Sequence, residues 1–150
     1  MSQAVPAEWL GPARSVMAVS RFVKWPEAAD SGLTFRLCLR DDDPALGAFL
    51  GLRGETISGR PVSIHPLSPG AFAVRPCHVA YFSDGLASPA ILRTLADKPV
   101  LTMSPEGGFA ERGGDVEIVA GTGGFAINDE RLREQGLRVS AQLLKLSGRS

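Results

Sequence analysis

The chain has 150 residues, 44% of them hydrophobic and 21% charged, with Lys and Arg numbering 16 against 16 Asp and Glu. That composition is globular and long enough to bury one proper core, so a single domain is expected. Zero formal charge supplies no field to draw in a polyanion, which argues against a nucleic-acid partner. No apolar run approaches the ~20 residues that cross a bilayer. The opening Met1-Ser2-Gln3-Ala4-Val5-Pro6 lacks the basic and apolar regions of a signal peptide, so read literally it predicts a cytosolic chain. A mature secreted protein behind an added Met would read the same way.

Residues 1–12 carry no clear periodicity and read as a weakly ordered leader, with the domain running from 13 to 150. Val16, Val19, Phe22 and Val23, with polar residues between them, have helical spacing over residues 13–25. Pro26 should end that helix, because the residue before a proline is pushed out of the α region. After the turn signal Asp30-Ser31-Gly32, the run Thr34-Phe35-Arg36-Leu37-Cys38-Leu39 reads as a strand with alternating faces. Asp43-Pro44 supplies a cap and first residue for a helix carrying Leu46, Phe49, Leu50 and Leu52, closed at Gly54. Strands follow at residues 61–66 and 77–83, the latter apolar on both faces through Val79-Ala80-Tyr81-Phe82.

Ser88-Pro89 opens a further helix with Ile91, Leu92 and Leu95, and residues 99–103 form the next strand. Val116-Glu117-Ile118-Val119 and Gly124-Phe125-Ala126-Ile127 flank a glycine-containing turn and predict an antiparallel hairpin at the sheet edge. A helix from Asn128 or Asp129, stopped at Gly136, and a closing helix over residues 139–146 complete the order. The expected fold is therefore α/β, a three-layer Rossmann-like sandwich whose mostly parallel sheet ends in a C-terminal antiparallel hairpin.

Chemistry in such folds sits at the carboxyl ends of parallel strands. Asp41-Asp42-Asp43 and Ser83-Asp84-Gly85 fall there, with Thr102 at the end of the next strand, in the layout of a phosphoacceptor receiver domain; carboxylates so grouped could hold Mg²⁺. Asp41, Asp42 and Asp84 are accordingly the candidate lining of a ligand pocket. A receiver also needs a lysine at the end of its fifth strand, and residues 116–121 contain none. The interval from Asp84 to Thr102 also reads as short for a complete helix and its loops. The plain alternative is that Asp43 caps a helix and Asp84 shapes a turn.

Other catalytic signals are absent. The pairs Gly107-Gly108, Gly113-Gly114 and Gly123-Gly124 are not followed by the residues of a P-loop, nor do they form a dinucleotide fingerprint. His65 and His78 lack zinc-site spacing, and no nucleophile elbow occurs. No cofactor, metal or catalytic residue is assigned, and no enzymatic activity is expected. Trp9 and Trp25 read as packing residues, or as interface anchors if exposed. Cys38 and Cys77 are either buried thiols or a disulfide.

Several strings in order resemble the YfiR family of periplasmic repressors: Arg21-Phe22-Val23-Lys24-Trp25-Pro26, Phe35-Arg36-Leu37-Cys38, Gly59-Arg60-Pro61-Val62, Cys77-His78-Val79-Ala80-Tyr81, Gly108-Phe109-Ala110-Glu111-Arg112-Gly113-Gly114 and Gly136-Leu137-Arg138-Val139-Ser140. The resemblance spans residues 13–146. It implies a mature periplasmic protein, its signal peptide absent from this sequence, that binds the extracytoplasmic part of an inner-membrane diguanylate cyclase or sensor kinase and restrains cyclic-di-GMP synthesis. It also implies a homodimer relieved by an outer-membrane lipoprotein, and a Cys38–Cys77 disulfide.

The best-known members carry a second cysteine pair in the C-terminal half, and this chain has none. Candidate partner contacts are Phe109, Glu111 and Arg112, where glycines permit close backbone approach, together with Trp25; the plain alternative is that Phe109 packs inward and the glycines only turn the chain. A small-ligand envelope sensor is the alternative reading, and a degenerate receiver the third.

Overall fold

The structure is a computed structural model that describes residues 7–26, 32–119 and 124–146. The first helix, α1 (Ala7–Ser20), is displaced from its expected span at both ends. Pro12 lies inside it, so it takes in half of the stretch read as a leader; residues 1–6 of that leader lie outside the described residues. Val16 and Val19 lie within it, but it stops before Phe22 and Val23. Ser20 Oγ donates to the Val16 carbonyl at 2.7 Å, and the chain then leaves as β1 (Val23–Lys24), paired antiparallel with β9 (Arg138–Val139). A tertiary strand partner, not Pro26, ends the helical run, since pairing overrides local propensity. For the same reason Val139 belongs to a strand, and the closing helix α5 starts only at Ala141 (Ala141–Leu146).

The main sheet has seven strands in the order β3-β4-β2-β5-β6-β7-β8. These are β2 (Phe35–Arg40), β3 (Thr56–Ile57), β4 (Arg60–Leu67), β5 (Val79–Tyr81), β6 (Leu101–Ser104), β7 (Val116–Val119) and β8 (Gly124–Ile127). Strand β2 runs parallel to β4 and β5, and β5, β6 and β7 continue parallel. The β7–β8 hairpin forms the antiparallel edge as expected, Val116 facing Ile127. The opposite edge carries a hairpin that the sequence reading lacks. Ser58 and Gly59 both take positive φ, 53° and 80°, in the two-residue turn that matches strand twist, and β3 pairs with β4 across it.

Helices cover both faces. One core gathers Val16, Met17 and Val19 of α1 with Phe35, Leu37, Leu39, Val79, Tyr81, Leu101, Met103 and Val116 of the sheet. It also takes Phe49 of α2 (Leu46–Leu50), Leu132 of α4 (Asp129–Glu134) and Leu143 of α5. The second core, on the other face, holds Cys38, Ala80 and Phe82, with Phe72 from the 3-10 turn Pro69–Ala73 and Ile91, Leu92 and Leu95 from α3 (Pro89–Leu95). The alternation along β5, Val79 and Tyr81 inward to one core and Ala80 to the other, is the sequence signature of a strand covered on both sides. The α/β, mostly parallel architecture with helix layers on both faces is therefore as expected.

Candidate functional site

The parallel strands β4-β2-β5-β6-β7 follow the 2-1-3-4-5 order of one doubly wound class, whose switch point lies between the first and third strands. Here that point is the gap between the ends of β2 and β5, where the acidic candidates sit. It is closed by its own hydrogen bonds. Asp43 is buried, and its carboxylate accepts from Ser83 Oγ at 2.6 Å, Ser83 N at 3.0 Å and Ala45 N at 2.8 Å. It is thus a clasp between strand ends. The helix cap is Ala45, without a side-chain bond, and α2 ends at Leu50 instead of running to Gly54.

Asp42 is exposed and takes both oxygens to Arg40, at 2.9 and 2.8 Å. The Arg40 guanidinium holds its carboxyl below the usual carboxylate range. Asp41 and Asp84 are exposed. Among the described residues no group of three His, Cys, Asp or Glu could hold a metal ion. The structure also corrects one argument against a receiver, because the interval from Asp84 to Thr102 does accommodate a helix, α3. Its cap is the one expected, Ser88 Oγ accepting from Ile91 N at 3.2 Å. What stands against that reading is the missing lysine and an Asp43 already spent on Ser83.

Both aromatic partner candidates point inward. Phe109 is fully buried in the second core, and a side chain at Gly114 would collide with its ring, so glycine there serves close packing. Trp25 is also buried; its Nε1 donates to the His78 carbonyl at 2.9 Å, and it stands edge-on to Phe35 and His78. Neither ring is available as a contact anchor. Glu111 and Arg112 remain exposed on the same loop, Arg112 paired with Glu106 and donating to the Gly107 carbonyl.

Cys38 and Cys77 form a disulfide. It ties β2 to the residues entering β5 and sits in the second core, next to a tight knot on the first. His78 stacks on Phe35 at 4.7 Å, and its Nδ1 accepts from Arg36 N at 2.9 Å. His65 meets Ser63 Oγ at 2.8 Å and burial lowers its pKa. Burial pushes Tyr81 up to about 12, which leaves it neutral at ordinary pH.

Sequence reasoning overlooked a buried polar group beneath the 109–114 loop. Thr102 and Asp115 exchange two bonds, Thr102 N to Asp115 Oδ2 at 2.9 Å and Asp115 N to Thr102 Oγ1 at 3.0 Å. Gln135 Nε2 donates to the carbonyls of Lys98 and Val100, both at 2.9 Å. Arg131 donates to Gly113 and Ala96, and Asn128 to Ala110. These residues are scattered along the chain and share no periodicity, so only the fold assembles them. An open cavity of about 560 Å³ lies nearby, between α4, β9 and α5, lined by Arg133, Leu137, Arg138, Val139 and Leu144 among others.

The order of the parallel strands and the clasped switch point define a doubly wound α/β domain tied by one disulfide. The chain belongs to the YfiR/HmsC-like family, whose signature matches residues 12–148. No curated protein matches the chain.

Proposed function

We propose that this protein is a periplasmic regulator that binds the extracytoplasmic part of an inner-membrane diguanylate cyclase and restrains cyclic-di-GMP synthesis. The observation that carries the reading is the family match over nearly the whole chain. Two features support it. A disulfide inside the core suits an oxidising compartment, and the strand-end carboxylate best placed for chemistry is consumed by Ser83. No helix among the described residues is long and apolar enough to cross a membrane.

Glu111 and Arg112 are the charged contacts we assign to that partner, because directional charged pairs at an interface rim set register and on-rate. A homodimer, and sequestration by an outer-membrane lipoprotein, complete the reading.

Deleting the gene should raise cellular cyclic-di-GMP. Supplying the chain in the periplasm should restore the low level, while the same chain held in the cytoplasm should not. Unchanged cyclic-di-GMP after deletion would overturn the proposal. The cavity between α4 and α5 favours a second reading, a small-ligand sensor, over a ligand held by Asp41, Asp42 and Asp84. A thermal-shift screen of nucleotides, amino acids and metals with no stabilising hit would remove it.

A further inference from the structure

Helix α3 buries Ile91, Leu92 and Leu95 in the second core. Helical spacing then sets Pro89, Arg93 and the C-cap Ala96 along one outer stripe. Opposite them, the buried ring of Phe109 anchors the 109–114 loop in the same core and leaves Arg112 exposed. Between helix and loop lies an open cleft of about 200 Å³, whose lining includes Arg93, Arg112 and Arg131 and no carboxylate. Leu92, Ala96 and Gly113 contribute to its uncharged wall.

Arg131 braces this cleft. Its side chain is only 20% exposed. Nε donates to the Gly113 carbonyl at 3.2 Å and Nη2 to the Ala96 carbonyl at 3.1 Å, which joins the loop to the C-terminal end of α3. Its Nη1 reaches Glu134 at 3.3 Å. Arg112 is held at the rim by Glu106 and by the Gly107 carbonyl at 3.1 Å. Neither guanidinium is exhausted by these bonds, because a guanidinium carries five N–H donors. Arg93 is exposed and has no side-chain hydrogen bond or ion pair among the described residues. Three guanidiniums thus meet the carboxylates of Glu106 and Glu134 alone, in a chain of zero formal charge. Glu111 on the loop and Asp97 beyond α3 are exposed and do not line the cleft.

Like charges around one cleft repel, and an anion between them relieves the repulsion. The planar fork of arginine matches a carboxylate with two parallel hydrogen bonds. We propose that this cleft is an anion-binding site, in which Arg93 and Arg112 donate to an oxyanion beside the fixed fork of Arg131, and that its occupant is an acidic side chain of the protein partner. A free ion in so open a cleft is weakened by salt screening. A carboxylate carried on a protein surface is held there by the contacts around it, those of Glu111 and Arg112 among them. This choice of occupant rests on the regulatory reading above, whereas the anion site rests on the cleft alone.

Two measurements on the full chain test the two parts. Inorganic phosphate, followed by the nitrogen-15 and proton signals of the arginine Nε–H groups, should shift Arg93 and Arg112 along one saturating curve. It should leave unmoved Arg53, which follows α2 on the other face of the sheet and donates to the Leu50 carbonyl. An unmoved Arg93, or the same drift at Arg53, overturns the anion site. Binding of the extracytoplasmic part of the cyclase should be at least tenfold weaker for Arg93→Glu, less impaired for Arg93→Lys, which keeps the charge but not the fork, and unchanged for Arg53→Glu. Phosphate binding at Arg93 with cyclase binding indifferent to Arg93→Glu overturns the partner carboxylate and leaves a site for free oxyanions. A native chain that binds no cyclase overturns the regulatory reading and the partner carboxylate with it, while the phosphate titration still decides the site.

Discussion

The two halves of the sheet are held together by different kinds of bond. Between β2 and β5 there is a disulfide, a buried carboxylate with three donors, and the packed rings of Trp25, Phe35 and His78. Between β6, β7 and α4 the ties are hydrogen bonds from Thr102, Gln135 and Arg131, several of them to neutral carbonyls. Two buried acceptors there lack a donor, while in the first half the buried Tyr81 hydroxyl lacks a hydrogen-bond partner. The first half is a scaffold whose local opening should approach the cost of global unfolding. The second half, which carries the exposed charged loop, is where small changes of charge can alter local stability.

Four variants test this contrast. Phe109→Ala should cause the largest loss, about 3–5 kcal/mol by denaturant unfolding, since it empties a fully buried aromatic site. A loss under about 1 kcal/mol would return Phe109 to the surface and to the partner. Breaking the disulfide with paired Cys38→Ser and Cys77→Ser should cost about 2–4 kcal/mol. Identical melting of oxidised and reduced protein would remove the scaffold claim.

Asp43→Ala should cost about 2–3 kcal/mol, because it strands the Ser83 donors in a buried site. A neutral effect would mean that the switch point is open to solvent. Arg112→Ala should change stability by less than about 0.5 kcal/mol, as expected of an exposed ion pair. The same change should weaken capture of the cyclase; unaltered capture would remove Arg112 from the interface.

Much of the scaffold was legible in the chain. The double-sided strand around Val79, the Ser88-Pro89 and Asn128 caps and the glycine-linked edge hairpin rest on local chemistry, which the fold keeps. What local rules could not supply was anything decided by a distant partner. Val23 pairs with Val139 over strands of only two residues, too short to leave a period in sequence, and this shortened the first helix. Asp43 does bond to Ala45 N as a turn aspartate would, but its second duty depends on Ser83, just beyond the end of β5.

For Phe109, in a glycine-rich loop, the sequence leaves surface contact and inward packing open, and the close approach of Gly114 shows that the ring fills the core. The candidate site was legible only in its exposed part, Glu111 and Arg112. The polar group beneath it is drawn from residues 102, 115, 131 and 135 and announces itself by no spacing.

Native-state hydrogen exchange on the full chain, corrected for intrinsic rates and recorded on both sides of neutrality, tests the contrast between the halves most directly. The account predicts that the amides of Leu37, Leu39 and Ala80 exchange only through near-global unfolding at every pH. Those of Gly114, Asp115 and Leu132 should open at lower cost, and more easily above neutrality, because burial raises the Asp115 carboxyl to about 7 and its ionisation then disfavours the closed fold. Equal protection in both halves, or a pH-dependent opening confined to β2 and β5, would contradict it.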